Sequence, residues 1–298
     1  MNIPIPLINM LWNADKKLDD ARLAKQTFPD DLVEILDVPY VKGKNPQQTM
    51  DVYYPKDTKS NAKLPVIIDI HGGGWFYGSK ELNKNYCLHL AQNGFVVFNI
   101  NYRLCPDVTN KEQLQDCMNA VKYIAKHLGD YPCSKSRFYV TGDSAGGQLA
   151  AFVAAASVSK KMRDAFDLCD PGIKFKAASL VSPCPYLEKK GLLKGYIGHV
   201  IGKKWKSEPY GKYFNYDKVV KATKGNNPPT IIFTSFADVI CYGQAHRAYK
   251  ALKKASVEAK YDYRYKLSLN HVYQVLQPDN KDSKKAIDHM VKFFNKHK

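Results

Sequence analysis

Short apolar runs alternate along this chain with segments whose apolar residues recur at helical spacing. The apolar runs are rich in Val, Ile, Phe and Tyr, which predicts β-strands. These runs are residues 50–54, 65–70, 95–100, 137–141, 177–182, 230–235 and 260–266. The segments that predict helices are 81–93, 111–128, 145–158, 243–256 and 283–297.

Most of these strand segments are apolar at every position rather than at alternate positions, as in "PVIIDI" at 65–70. Continuous apolar runs are typical of strands that are covered on both faces in a parallel sheet. Their alternation with helices predicts an α/β fold with a mostly parallel central sheet and helices on both faces. The 298 residues suffice for one such domain, so we expect residues 1–298 to form a single unit.

Two segments interrupt the alternation of strands and helices. Residues 1–45 precede the first predicted strand and contain one weakly amphipathic stretch, 14–28. Residues 186–227 are irregular and rich in Gly, Tyr and Lys. Long irregular insertions in compact domains commonly form lids or binding loops. We therefore expect both segments to form a cap over the carboxyl-terminal edge of the sheet.

The composition excludes several classes of protein. No apolar stretch approaches the length of a membrane span, and the N-terminus does not resemble a signal peptide. The seven cysteines are scattered without CxxC or zinc-like spacing, which predicts reduced thiols in a cytoplasmic protein and no metal site.

The formal net charge of +17 raises the question of an acidic partner such as nucleic acid. The lysines are spread along the chain, and no nucleic-acid-binding motif is present. We therefore predict no specific nucleic-acid partner. The oligomeric state stays open, with a homodimer as one alternative.

The segment "VTGDSAGGQLAA" at 140–151 contains a G-x-S-x-G motif centred on Ser144. The motif follows a predicted strand and begins a predicted helix, which is the context that a nucleophile elbow requires. Ser144 is therefore the candidate nucleophile.

A second glycine-rich segment, "HGGGWFYG" at 71–78, follows another predicted strand. A serine that performs acyl transfer needs N–H donors for the tetrahedral oxyanion. Ala145 can supply one N–H, and Gly72 and Gly73 can supply others from an unobstructed loop. His71 and Trp75 then position the loop rather than act as catalysts.

"HGGGW" followed by "GDSAGG" resembles the hormone-sensitive-lipase-like esterases of the α/β-hydrolase superfamily. The stretch "DVYYP…PVIIDIHGGGWFYGSK" also resembles the related acetyl-xylan and feruloyl esterases, and "NYRLCPD" resembles their "YRLxPE" segment. The resemblance covers residues 48–297. It implies an α/β-hydrolase fold with a cap, a Ser-Asp-His triad in that chain order, and no cofactor.

The resemblance implies Asp238 and His271 as the other members of the triad. Asp238 follows the strand 230–235, although Ser235, Val239 and Tyr242 depart from the family's usual Gly, Pro and Asp. His271 follows the last strand, with Tyr273 where the family has Phe. In this arrangement His271 is the general base and Asp238 orients it.

Two other acids, two other histidines and one cysteine are alternatives for these roles. Asp262 lies inside a strand pattern, and Asp170 lies in a "DPG" turn. His246 falls on a helix and His199 in the expected cap. Cys241 lies near Asp238 but has no activating neighbour in the sequence, so we do not expect a thiol mechanism.

These residues predict a serine carboxylesterase that acts on a small-molecule ester. Two alternatives stay open: an arylformamidase, which shares the H-G-G-x-W motif, and a catalytically silent binding protein of the same fold. Several aromatic residues of 186–227 could provide flat walls for short acyl groups or could simply pack the cap. They are Tyr186, Tyr196, Trp205, Tyr210, Tyr213, Phe214 and Tyr216. We expect short acyl chains, about acetyl to butyryl, on a small soluble alcohol.

Overall fold

The protein is described by a computed structural model that covers residues 3–59, 61–188 and 194–298. Within these residues, eight strands form one sheet with the order β1-β2-β4-β3-β5-β6-β7-β8. The strands are β1 (Leu32–Pro39), β2 (Thr49–Pro55), β3 (Leu64–Ile70), β4 (Val96–Ile100), β5 (Cys133–Asp143), β6 (Ala177–Val181), β7 (Thr230–Ser235) and β8 (Ala259–Arg264). Strand β2 is antiparallel to β1 and β4, and all other pairs are parallel.

Helices cover both faces of the sheet. They are α1 (Ile5–Leu23), α2 (Lys80–Gln92), α3 (Asn110–Lys126), α4 (Ser144–Val158), α5 (Lys160–Phe166), α6 (Lys194–Ile201), α7 (Tyr216–Ala222), α8 (Tyr242–Lys254), α9 (Tyr273–Leu276) and α10 (Lys281–Lys296). One buried cluster joins the sheet to α3, α4, α5, α7 and α8, and a second joins it to α2, α9 and α10. The mostly parallel α/β fold expected from the sequence is therefore confirmed.

Each expected strand and helix overlaps an observed one, and the central strands are buried almost throughout. Strand β3 is buried at six consecutive positions, as the unbroken apolar run indicated. Helix α4 carries small and apolar residues on all sides and lies in the core, as expected for a helix without a polar face.

The N-terminal segment differs from the expectation that residues 1–45 belong to the cap. Residues 32–39 form β1, which pairs with β2 at the edge of the sheet. This strand has a register shift between Ile35 and Val38 and several exposed positions, so its apolar pattern is weak. Residues 32–39 therefore belong to the sheet, and α1 is longer than the stretch 14–28 suggested.

The segment 186–227 carries α6, a 3₁₀ turn at Gly211–Phe214, and α7. Residues 189–193, which belong to the expected cap, lie outside the described residues.

Candidate active site

The turn from β5 into α4 places Ser144 in a strained backbone conformation. Ser144 has a φ of +53°, a region that a residue with a side chain rarely adopts. The turn also packs tightly against the end of β3: a Cβ on Gly146 would lie 2.0 Å from the carbonyl oxygen of Ile70. The glycine of the motif is therefore required by close backbone approach, as in a nucleophile elbow.

Ser144, His271 and Asp238 form a continuous hydrogen-bonded chain. His271 Nε2 lies 2.9 Å from Ser144 Oγ, and His271 Nδ1 lies 2.8 Å from Asp238 Oδ1. A carboxylate only accepts hydrogen bonds, so Nδ1–H donates to Asp238 and Nε2 is left to accept the serine hydroxyl. The structure thus brings together the three residues that the family resemblance implies.

Asp238 is fully buried, and its environment favours the carboxylate. Oδ1 also accepts the Cys241 N–H at 2.9 Å, and Oδ2 accepts the Thr234 hydroxyl at 3.1 Å. Burial alone raises the pKa of Asp238, but the hydrogen bond and charge of His271, together with the Cys241 N–H, hold it below the usual value. The acid therefore stays ionised while it orients the imidazole.

The departures from the family pattern around Asp238 do not displace the carboxylate. Ser235, which replaces the usual glycine, donates its hydroxyl to the carbonyl of Leu269 at 2.6 Å. Leu269 begins the turn that carries His271, and Val272 in this turn donates its N–H to the hydroxyl of Ser182. Ser235 thereby links the strand that bears the acid to the loop that bears the base.

The glycine-rich loop after β3 is held to the nucleophile helix. Trp75 is buried and donates its indole N–H to Gln148 of α4 at 3.0 Å. Gly73 has a φ of +104°, and a Cβ there would lie 1.9 Å from the Tyr77 carbonyl oxygen. His71 is buried and stacks on Tyr102 with ring centroids 4.4 Å apart. His71 and Trp75 occupy the loop-positioning places that the sequence suggested.

Gly72 does not have the role expected from the sequence. Its N–H donates to Asp143 Oδ1 at 2.9 Å and is therefore not free to bind an oxyanion. In the described part of the chain, the N–H groups of Gly73 and Ala145 have no acceptor. The expectation is thus corrected for Gly72 and stays a proposal for Gly73 and Ala145.

A buried carboxyl pair beside the site was missed at the sequence level. The Asn83 side-chain amide donates to Asp143 at 2.9 Å and to Asp69 at 2.8 Å. Burial, reinforced by the charge of Asp143, raises the pKa of Asp69 to about 8, and burial also raises the pKa of Asp143. The only sequence signal was the position of Asp143 inside the G-x-S-x-G motif.

Two aromatic residues from the expected cap contact the glycine-rich loop. The hydroxyl of Tyr196 in α6 donates to the carbonyl of Gly74 and accepts the indole N–H of Trp12 in α1 at 3.1 Å. Trp12 also stacks on Tyr77 with ring centroids 5.3 Å apart. Helices α1 and α6 therefore meet directly over this loop.

Most of the other aromatic residues of 186–227 pack the segment onto the body. Tyr213, Phe214 and Tyr216 are buried, with rings against Phe152 and Phe166. Trp205 packs edge-on against Phe214. For these residues the packing alternative describes the structure better than a substrate wall does.

The competing acids lie away from the triad in this structure. Asp262 of β8 is paired with Arg264 of the same strand and with His289 of α10. Asp170 is an exposed turn residue whose side chain accepts the Gly172 N–H.

The competing histidines are also outside the triad. His199 Nε2 lies 2.7 Å from the carbonyl of Ile3, where it joins α6 to the N-terminal segment. His246 lies on α8, where its ring contacts Tyr242 and Tyr261.

A disulfide joins Cys184 to Cys241, which corrects the expectation that all seven cysteines are reduced. The two residues are 57 positions apart, so the sequence contained no pairing signal. The bond lies beside the triad, because the Cys184 N–H donates to the Ser144 carbonyl and the Cys241 N–H donates to Asp238. Free thiols are found at Cys87, Cys105, Cys117, Cys133 and Cys169.

Over the described ranges, no group of three or more His, Cys, Asp or Glu side chains is arranged to hold a metal ion. None of the helices described here is both long and apolar enough to cross a membrane.

Comparisons with known proteins support the fold and the esterase class. The BD-FAE family model matches residues 50–185. The crystal structure of esterase B from Lactobacillus rhamnosus superposes with a TM-score of 0.91 at 28% identity, covering 98% of this chain and 94% of that one. The same esterase has also been solved with a C4-C4 SN3 tributyrin phosphonate. An esterase of the bacterial hormone-sensitive lipase family gives a TM-score of 0.73 at 21% identity, covering 95% and 90% of the two chains.

Curated relatives match a shorter region. The probable isoprenylcysteine alpha-carbonyl methylesterase ICME of Oryza sativa subsp. japonica is 28% identical over 123 residues, 41% of this chain. That alignment spans 29% of the relative's own length.

The fold and the strand–turn–helix site define a member of the α/β-hydrolase superfamily. Within this superfamily, the chain is similar to the BD-FAE family over residues 50–185 and to esterase B along its length.

Proposed function

We propose that this protein is a serine carboxylesterase that uses a Ser144–His271–Asp238 triad. The observation that carries the proposal is the hydrogen-bonded chain from Ser144 Oγ through His271 to Asp238, at 2.9 and 2.8 Å. A serine hydroxyl becomes an effective nucleophile when an adjacent imidazole accepts its proton. The esterase relatives support the same reaction class.

In the acylation step, His271 Nε2 accepts the proton of Ser144 as Oγ attacks the ester carbonyl. The N–H groups of Gly73 and Ala145 stabilise the oxyanion that forms. His271 then returns the proton to the leaving alcohol, and the acyl-enzyme remains. Water, deprotonated by His271, releases the acid in the second half of the cycle. Asp238 stabilises the imidazolium throughout, and no step requires a cofactor or a metal ion.

The proposed substrate class is a short acyl ester, about acetyl to butyryl, of a small soluble alcohol. Trp12 and Tyr196 lie close over Gly74 and restrict the space beside the glycine-rich loop. Esterase B, to which this chain is similar along its length, was solved with a C4-C4 SN3 tributyrin phosphonate and with a C6-C4 SN3 inhibitor, which supports a short acyl group. A cytoplasmic location stays a prediction, and the disulfide bears against it because such bonds persist mainly in oxidising compartments.

The test is hydrolysis of p-nitrophenyl acetate by the wild-type protein and by Ser144→Ala. We expect the variant to lose several orders of magnitude in kcat, because only binding and oxyanion stabilisation remain. Ser157→Ala is the matched control, since Ser157 lies on the same helix and bonds only to the Ala154 carbonyl.

Near-normal hydrolysis by a pure Ser144→Ala preparation would sink the proposal. Turnover of N-formylkynurenine in preference to the ester would identify an arylformamidase instead. Absence of turnover with either substrate would favour a binding protein. EDTA is expected to leave the activity unchanged.

A further inference from the structure

The carboxylate of Asp143 joins the glycine-rich loop to the nucleophile turn. Asp143 is 5% exposed, and its Oδ1 accepts two hydrogen bonds at 2.9 Å, from the Gly72 N–H and from the Asn83 amide. Asp143 also immediately precedes Ser144 in the chain. Asp143 is thus joined to the nucleophile Ser144 through its backbone and to the glycine-rich loop through its side chain.

The hydrogen bond to Gly72 matters because peptide units are rigid planes. The Gly72 N–H shares its plane with the His71 carbonyl, which accepts the Tyr102 hydroxyl at 2.9 Å. The Gly72 carbonyl shares the next plane with the Gly73 N–H, and this carbonyl lies 2.8 Å from His71 Nδ1. Both planes that flank Gly72 are therefore fixed, and the direction of the Gly73 N–H follows from them.

We propose that Asp143 is a positioning residue that aims the Gly73 N–H at the oxyanion formed on the carbonyl attacked by Ser144. The inference rests on the proposed esterase function. Asp143 touches neither the substrate nor the reacting atoms in this account. It sets the distance between the N–H donor and the nucleophile, because the same residue fixes the loop and begins the elbow.

The surroundings of Asp143 support an ionised acceptor in this place. Asn83 donates to both Asp143 and Asp69, so the two carboxyls share one amide. Burial raises the pKa of both carboxyls, to about 8 for Asp69, while Asn83, the charge of His271 and the Gly72 N–H act in the opposite direction on Asp143. The two N–H groups that Asp143 Oδ1 accepts favour the charged form of this carboxyl over that of Asp69.

The contact between Asp143 and Gly72 also leaves no space for a side chain. A Cβ on Gly72 would lie 2.4 Å from Asp143 Oδ2. Gly72→Ala therefore disrupts the contact by a steric clash from the glycine-rich loop. Asp143→Ala disrupts the same contact by removing the carboxylate that accepts the Gly72 N–H. The two substitutions together form a double-mutant cycle for this contact.

The experiment measures kcat and KM for p-nitrophenyl butyrate and the affinity for a short alkylboronic acid, which forms a tetrahedral adduct with the serine. For Asp143→Ala we expect kcat to fall about 100-fold or more, as when one oxyanion donor is removed, with KM within about threefold. Boronic-acid affinity should fall in parallel. Asp143→Asn should recover kcat to within about tenfold of the wild type, because its amide oxygen still accepts the Gly72 N–H.

The control for general destabilisation is Asp51→Ala. Asp51 of β2 is also a buried aspartate, but it pairs with Lys80 of α2 at 3.0 Å and has no contact with Gly72, Asp143 or the triad within the described residues. It should lower thermal stability and leave kcat within about threefold. If Asp143→Ala does not fold, Gly72→Ala tests the same contact and should lose a similar factor in kcat. If both variants fold, the loss of kcat in the double variant should differ strongly from the product of the two single losses.

Retention of kcat within threefold by Asp143→Ala, in a protein whose Ser144→Ala variant is inactive, would overturn the inference and leave the proposed function standing. Equal losses for Asp143→Ala and Asp143→Asn, with unchanged boronic-acid affinity, would also overturn it. If the wild type hydrolyses no ester, the proposed function fails. The rate at which an alkylphosphonate labels Ser144 would then test Asp143 directly, with slower labelling of Asp143→Ala as the supporting result.

Discussion

Among single residues, His71 is a buried histidine whose position makes folding sensitive to acid. It is 1% exposed, stacks on Tyr102, and contacts the Gly72 carbonyl through Nδ1. Burial lowers the pKa of His71 to about 4, and the hydrogen bond to Gly72 only partly opposes this effect. Below pH 6.5, His71 is therefore protonated in the unfolded chain, whereas the folded protein keeps it neutral down to about pH 4.

We expect the free energy of unfolding to fall by about 2 to 3 kcal/mol between pH 7.5 and 4.5 through this residue. The sign follows because a lowered pKa contributes stability above the unfolded value and loses it as the pH falls. Urea titrations of wild type and His71→Gln at both pH values provide the measurement. The variant should be less stable at pH 7.5 but lose less on acidification. An identical pH dependence in both proteins would contradict the role assigned to His71.

The sequence predicted Ser144 from a motif between a strand and a helix, and the family resemblance implied Asp238 and His271. The structure brings these three side chains within hydrogen-bond distance. The sequence did not identify the role of Asp143, and it assigned Gly72 to the oxyanion. That error has a physical origin: whether an N–H is free depends on which side chain approaches it in space. Here the acceptor is 71 positions away in the chain.

At the level of secondary-structure elements, the central strands were predictable because they are buried on both faces. Strand β1 was not, since it is an edge strand with exposed positions and an irregular register. Helix α1 was also underestimated. Its contact face includes Ile8 and Trp12, while Leu7, Met10 and Leu11 are exposed, so the sequence shows no single apolar stripe.

The disulfide between the loops after β6 and β7 leads to a prediction about the effect of reducing agents. The Cys184–Cys241 bond closes a separation of 57 residues, and a chain-entropy model assigns such a bond about 4 kcal/mol. We expect a reductant such as TCEP to lower the Tm of the wild type. It should also lower kcat, because the bonded residues contact Ser144 and Asp238 through their N–H groups.

Cys184→Ser/Cys241→Ser should reproduce both effects and be insensitive to the reductant. Cys169→Ser is the control, because Cys169 is a free and partly exposed thiol. Calorimetry and steady-state kinetics with and without TCEP give the readouts. A wild-type Tm and kcat that do not respond to complete reduction, verified by thiol titration, would count against this account.

For the molecule as a whole, the basic charge is distributed rather than concentrated. Exposed pairs such as Lys16–Asp20 and Lys160–Asp164 join neighbours on the same helix and contribute little to stability. Some exposed apolar residues follow β7 and the edge strand β8, among them Val239, Tyr265 and Leu267, and others lie in the N-terminal segment. Such a surface is suited to contact with another apolar surface, and a homodimer stays a prediction.

The acyl preference depends on how the cap and body meet, so it is a property of the whole fold. Trp12 of α1 and Tyr196 of α6 converge over Gly74, where even a Cβ would lie within 2.4 Å of the Trp12 ring. Trp205 of the same cap instead packs against Phe214. We therefore expect a p-nitrophenyl ester series to show maximal kcat/KM between acetyl and butyryl, and Trp12→Ala to shift the maximum toward longer chains.

Trp205→Ala is the matched control, since it removes an equally large and partly buried aromatic side chain of the cap. It should lower the Tm through lost packing and leave the order of acyl preference unchanged. A wild-type maximum at octanoyl or longer would refute the short-chain assignment. A shift of preference in Trp205→Ala but not in Trp12→Ala would mean that the acyl group binds under the 3₁₀ turn at Gly211–Phe214 rather than beside the glycine-rich loop.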